Sequence, residues 1–131
     1  MDMLKLYECS LPFPVSVNSA YGNRSNQQRF KSKSYKAWLQ RCPLLTLPEC
    51  GSIDFPVHLN YAYFMPDKRL RDIGNYEKLV TDFLVSQGVL FDDATSIIQS
   101  LHLNFAGIDR GSPRVEIGVF KIKPDNIVRI T

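Results

Sequence analysis

The chain has 131 residues, 44% of them hydrophobic and 22% charged, and its 16 Lys and Arg against 13 Asp and Glu leave a net charge of +3. That is the length of one domain and the composition of an ordinary globular protein, which argues against disorder and collagen-like structure. No apolar run approaches the roughly 18 residues of a membrane helix, so no membrane-spanning segment is expected.

Leu4–Leu11 reads as a first strand, ended by Pro12 and Pro14. The stretch from Ser16 to Ser34 is rich in Asn, Ser, Gln, Arg and Lys and reads as a polar loop. Tyr35, Trp38 and Leu39 have helical spacing, which predicts a helix within Ser34–Leu45 that Pro43 ends early. Val57–Met65 alternates, with Val57, Leu59, Tyr61 and Tyr63 on one face and His58, Asn60 and Ala62 on the other, as in a half-buried strand. After the charged loop Asp67–Asp72, the apolar residues Tyr76, Leu79, Val80, Phe83 and Leu84 mark an amphipathic helix over Asn75–Gln87, with Gly88 as its C-terminal cap. Ile97–Phe105 and Arg114–Ile122 alternate again around a Gly107–Pro113 turn and suggest a closing hairpin. A short, loosely ordered tail is expected after Pro124. The order strand, helix, strand, helix, strand, strand predicts a single α+β domain over residues 1–131. It would be a two-layer sandwich with helices on one face of a mixed, mainly antiparallel sheet.

The cysteines, Cys9, Cys42 and Cys50, are odd in number and form no CxxC pair. Neither a disulfide framework nor a clustered zinc site is expected. The opening MDMLKLYECSLPFPV lacks the pattern of a secretory leader, so reduced thiols in the cytoplasm are the expectation. His58 and His102 sit in alternating runs and read as strand-face residues. Any metal should therefore be a hard cation on carboxylates.

Charge is unevenly spread. Arg24, Arg29, Lys31, Lys33, Lys36 and Arg41 fall in one acid-free stretch, interleaved with Tyr21, Phe30, Tyr35 and Trp38. Lys68, Arg69 and Arg71 form a second group. Basic segments bearing aromatics suit a phosphate backbone and exposed bases, although each cluster alone reads equally as a solvated loop. The second group directly precedes Asp72, and the pair Asp92–Asp93 follows the second helix. Asp72 is an N-cap candidate and Asp92–Asp93 are candidate turn acids. They could meet as a site only if the later loop folds back towards the helix start.

The run MPDKRLRDIGNYEKLVTDFLVSQGVLFDDATSI resembles the RusA family of Holliday-junction resolvases, whose signature is a basic loop, D-x-D-N-x-x-K, a helix, and G-x-x-x-D-D-x-x-V/I. Arg69 and Arg71 match the basic loop, Asp72 the first aspartate, Asn75 the asparagine, Lys78 the lysine, and Gly88, Asp92 and Asp93 the downstream segment. LPFPVSVNSAY, with Asn18, resembles the family's opening strand and loop. The resemblance covers roughly Leu6 to Lys121. One position departs: Gly74 stands where the family has its second aspartate.

The resemblance implies a magnesium-dependent endonuclease that resolves four-way DNA junctions by phosphodiester hydrolysis in recombination and repair, of phage or prophage habit. Asp72 and Asp93, with Asp92 a weaker candidate, would be metal ligands, and Lys78 would stabilise charge at the scissile phosphate. Asn75 would position Asp72 or touch the backbone. Arg24, Arg29, Lys31, Lys33, Lys36, Lys68, Arg69 and Arg71 would face DNA. On the residues alone, Lys78 equally fits an i,i+4 surface pair with Asp82. A two-fold junction cut at two symmetric points calls for a homodimer. Gly74 implies impaired or absent cleavage. The alternatives are compensation by another acid, with Glu77 nearest, or a protein that binds branched DNA without cutting it.

Overall fold

The computed structural model describes residues 3–23 and 29–122. Arg24 and the expected loose tail lie outside the described residues. The elements are β1 (Met3–Pro12), β2 (Tyr21–Asn23), β3 (Arg29–Lys31), α1 (Lys33–Arg41), β4 (Val57–Met65), α2 (Lys78–Ser86), β5 (Ile98–Ile108) and β6 (Arg114–Ile122), with 3₁₀ turns at Val17–Ser19 and Ile73–Tyr76.

The strand alternation in β4 becomes burial. Val57, Leu59, Tyr61 and Tyr63 are fully enclosed, while His58, Asn60, Ala62 and Phe64 are half-exposed. Onto the enclosed face pack Tyr35 and Trp38 of α1 and Leu79, Val80, Phe83 and Leu84 of α2. The two helices meet where Trp38 and Phe83 pack edge-on at 5.8 Å. Apolar burial of this kind, worth about 1.5–3 kcal/mol per large side chain, holds the two layers together. The Trp38 indole N–H donates to the Pro12 carbonyl at 2.8 Å, tying α1 to the end of β1. The α+β two-layer expectation holds.

The sheet order is β1-β6-β4-β5. β1–β6 and β4–β6 are antiparallel and β4–β5 is parallel. The expected β5–β6 hairpin is therefore wrong: β4 lies between them. The connection crosses the end of β4, where the Asp109 N–H donates to the Met65 carbonyl at 2.9 Å and Arg114 binds Asp109 at 2.8 Å. The Asp-Gly-Pro composition that suggested a hairpin turn serves this crossover instead.

The polar stretch after β1 is also not wholly loop. β2 and β3 pair antiparallel, and the Phe30 ring lies so close over Gly22 that a Cβ there would come within 2.4 Å of it. Three-residue strands carry too little alternation to be read from sequence. α1 stops at Arg41, earlier than Leu45, as Pro43 predicts. The second helix is split: a 3₁₀ turn covers Ile73–Tyr76 before the α-helix proper begins at Lys78. Gly88 has φ +81° just past α2, in keeping with its capping role. Among the described residues no helix is long and apolar enough to cross a membrane.

Candidate functional site

The chain leaving α2 does fold back. The Gly88 and Val89 N–H groups donate to the Val85 and Leu84 carbonyls, each at 3.0 Å, and Val89 and Leu90 bury fully. Leu90 bridges Ile53 in parallel, with the Ile53 N–H on the Val89 carbonyl and the Phe91 N–H on the Ile53 carbonyl. This clasp directs Asp93 to the first residue of α2. Lys78 Nζ lies 3.4 Å from Asp93 Oδ2 and 2.9 Å from Asp82 Oδ1. Asp82 first, and Asp93 second, raise the Lys78 pKa, so the ammonium is held charged. The i,i+4 surface pair of Lys78 with Asp82 is present, and the contact with Asp93 is an addition that the residue spacing did not show.

Glu77, Lys78, Thr81 and Asp93 line a recess of about 130 Å³ with Ile98 and Leu101. The Thr81 hydroxyl donates to the Glu77 carboxylate, and the buried Tyr61 hydroxyl in turn meets Thr81 Oγ1 at 2.8 Å. Glu77 is thus fixed to the core by a chain of hydroxyls, at the end of α2 where Asp93 arrives.

Asp72 is engaged differently. Its Oδ1 accepts the Gly74 N–H at 3.1 Å, capping the 3₁₀ turn as an N-cap candidate would. Asp92 Oδ1 accepts the Asp93 N–H at 2.8 Å, a turn contact. Asn75 sits in the 3₁₀ turn, its N–H on the Asp72 carbonyl at 3.0 Å. Gly74 is exposed, and its backbone lies outside the left-handed region. A Cβ there would meet only Asp72 Oδ1, at 3.4 Å. Nothing in the packing requires glycine, and a side chain at 74 would emerge beside the Asp72 carboxylate. Among the described residues, no group of three or more His, Cys, Asp or Glu is placed to hold a metal ion.

The basic residues divide in two. Arg29 stacks on Tyr21, its guanidinium carbon 3.8 Å from the ring centre, and Lys31 lies 5.9 Å from that of Tyr35. Lys33 and Lys36 are exposed on α1. None of these four takes part in a salt bridge among the described residues. Tyr35 and Trp38 belong to the core, at 4% and 1% exposure, so they are unavailable to stack on bases.

In the second group Arg71 is only 10% exposed, binds Asp67 at 2.7 Å and lies over Phe13 at 5.6 Å. The Arg71 hydrogen bond, then the Arg69 N–H, hold the Asp67 carboxyl well below the usual carboxylate range. Arg69 is 81% exposed and Lys68 is also exposed. Asp67 escaped the sequence reading as a site residue, although its i,i+4 spacing to Arg71 was a visible signal. Two of the three thiols are held back by burial, which pushes Cys9 up to about 12 and Cys42 to about 11. A thiol so raised is a poor nucleophile.

His58 and His102 stand on β4 and β5, His58 hydrogen-bonded to Ser100, in keeping with strand-face roles.

The family model for the endodeoxyribonuclease RusA matches residues 12–120. Proteins named crossover junction endodeoxyribonuclease RusA from Escherichia coli strain K12, Shigella sonnei and Enterobacteria phage 82 are each 28% identical over 93 residues, covering 70% of this chain and 77% of theirs. The matched span runs from the end of β1 into β6 and takes in the refolded Lys78–Asp93 block. The chain belongs to the RusA family of endodeoxyribonucleases.

Proposed function

We propose that this chain recognises four-way DNA junctions as a homodimer and that Gly74 leaves its phosphodiester hydrolysis impaired. The observation that carries the reading is the Lys78–Asp93 contact at the start of α2, combined with a glycine at an exposed position that has room for a carboxylate beside Asp72. The cation implied by the family resemblance is Mg²⁺, a hard ion that needs several oxygen ligands. The residues present do not fit it: Asp72 caps a backbone N–H, Asp93 is paired with Lys78, Glu77 is bonded to Thr81, and among the described residues no three such groups are placed to hold one ion.

The residues do fit phosphate binding. Lys78 presents a charged ammonium, 52% exposed, and Arg69, Lys68, Lys33 and Lys36 add exposed cations. Cations in this number supply sequence-independent affinity that weakens as salt rises. Dimerisation is supported by β5, which pairs on one side only and exposes Leu101, Phe105 and Ile108 at 38%, 63% and 41%. An open edge of this kind invites cover by another chain.

The test is nicking of a four-way junction with and without magnesium. The chain as it stands is expected to bind the junction and cut slowly or not at all, and Gly74→Asp is expected to cut only with magnesium. An inert Gly74→Asp beside a vigorous parent chain would overturn the site assignment. The second reading, a binder of branched DNA without any cleavage, is favoured by the same absence of a three-acid cage. It is distinguished by a complete lack of nicking with magnesium in both the parent chain and Gly74→Asp.

A further inference from the structure

A cleft of about 430 Å³ opens between the loop after β1 and the basic loop after β4. That is within the range of small-ligand sites, about 300–1,000 Å³. Phe13 and Tyr76 line it, their ring centres 5.0 Å apart. Ser16, Ser19, Ser34 and Arg69 are among the polar residues of the lining, and no carboxylate belongs to it. Asp67, close by, bridges both Arg71 at 2.7 Å and Arg69 at 3.5 Å, but its single charge is outnumbered by the three cations Lys68, Arg69 and Arg71, so the setting stays positive. The hydroxyls bond among themselves or to a neighbour, Ser16 to Ser19 at 3.2 Å and Ser34 to Ser32 at 3.0 Å. Each hydroxyl keeps spare donor or acceptor capacity. Arg71, which also lines the cleft, is followed directly by Asp72, so the cleft adjoins the proposed site.

We propose that this cleft receives one unstacked nucleotide of the junction strand beside the proposed site, its base against Phe13 and Tyr76 and its phosphate towards Arg69. The inference rests on the junction-binding reading above and assigns a separate subsite to it. Three features select this ligand. Aromatic side chains take up any base through its π-face. Hydroxyls can donate or accept, so they suit a base edge without demanding one base. The positive, acid-free lining requires an anion. A base paired in a continuous duplex has no access to such a cleft. At the crossover of a four-way junction, stacking is interrupted and extrusion costs less, as it does at other weakened base pairs.

The experiment places 2-aminopurine at the crossover of a fixed four-way junction and at the equivalent position of a duplex, with EDTA present to suppress cutting. The chain is expected to raise fluorescence severalfold on the junction and not on the duplex. Ser34→Trp, made at an exposed position, would fill the cleft. It is expected to abolish the rise and to weaken junction binding about tenfold, as loss of one stacked base would, with duplex affinity and Tm unchanged. Junction binding without a fluorescence rise overturns the inference and leaves the junction reading standing, as does a full rise with Ser34→Trp. Failure to bind the junction at all overturns that reading and this inference with it.

Discussion

The two basic segments look alike in the sequence and are built for different work. Around β3 and α1, Arg29, Lys31, Lys33 and Lys36 have no carboxylate partner among the described residues, and two of them rest on tyrosine rings. In the loop after β4, Arg71 is inside, clamped by Asp67 and laid against Phe13. A cation that is both buried and neutralised by a neighbour presents little charge to DNA, so the first segment supplies most of the attraction. The second shapes the approach to Asp72, with Arg69 and Lys68 its outward-facing charges. Counting lysines and arginines along a chain does not separate these roles; the presence of one aspartate four residues upstream does.

The largest test concerns the platform of the first segment. Trp38→Ala removes the side chain that joins α1 to α2 and to β1, and is expected to cost about 3–5 kcal/mol in denaturant unfolding. A loss below about 1 kcal/mol would mean that α1 does not depend on this anchor. Next, replacing Lys31, Lys33 and Lys36 together by alanine is expected to weaken junction binding by tens of fold at low salt. It should also lower the slope of log affinity against log salt by roughly 2–3, since each phosphate contact contributes about 0.9. The comparison predicts that Arg71→Ala leaves that slope nearly unchanged while lowering Tm. Equal slopes for the two variants would erase the distinction drawn here.

A smaller effect appears with pH. The Asp67 carboxyl lies below its ordinary value of 3.8 in the folded chain, so the unfolded chain takes up that proton first. The stability it confers is complete above the ordinary value and is lost as pH falls below it. Asp67→Asn should therefore lower stability at neutral pH and flatten its decline below pH 3.8, read from urea midpoints across the acid range. The smallest change is Lys78→Ala. Its ammonium is half-exposed, so loss of the Asp82 pair is expected to cost only about 0.3–0.5 kcal/mol. A loss of junction binding far beyond that figure would place Lys78 on the phosphate.

Much of this was legible before the fold was seen. β4 runs from Val57 to Met65 as its alternation predicts, because one face meets the core and the other does not. The amphipathic spacing of Leu79, Val80, Phe83 and Leu84 likewise placed the buried face of α2. What failed was partner choice: alternation says that β5 and β6 are strands and nothing about which neighbours they take. The site was harder still. Asp72 and Asp93 stand out as acids, but the return of Asp93 to Lys78 depends on Ile53, Val89 and Leu90, apolar residues that carry no signature of a site. Only the resemblance linked the two halves of the block.

The position of β6 has a consequence for how the protein is made. Among the described residues it is the last of the six strands to be synthesised, yet it lies between β1 and β4. Until Arg114–Ile122 has emerged, β1 has no partner in the four-stranded sheet and β4 has only β5. Pairings that span nearly the whole chain form slowly, because closing so long a loop comes before any reward from contact. The nascent chain would therefore reach the ribosome exit with its basic segments complete and its sheet still open. A synonymous-codon pause placed before β6 would lengthen the time that the open sheet is exposed to aggregation, without altering a residue of the finished protein.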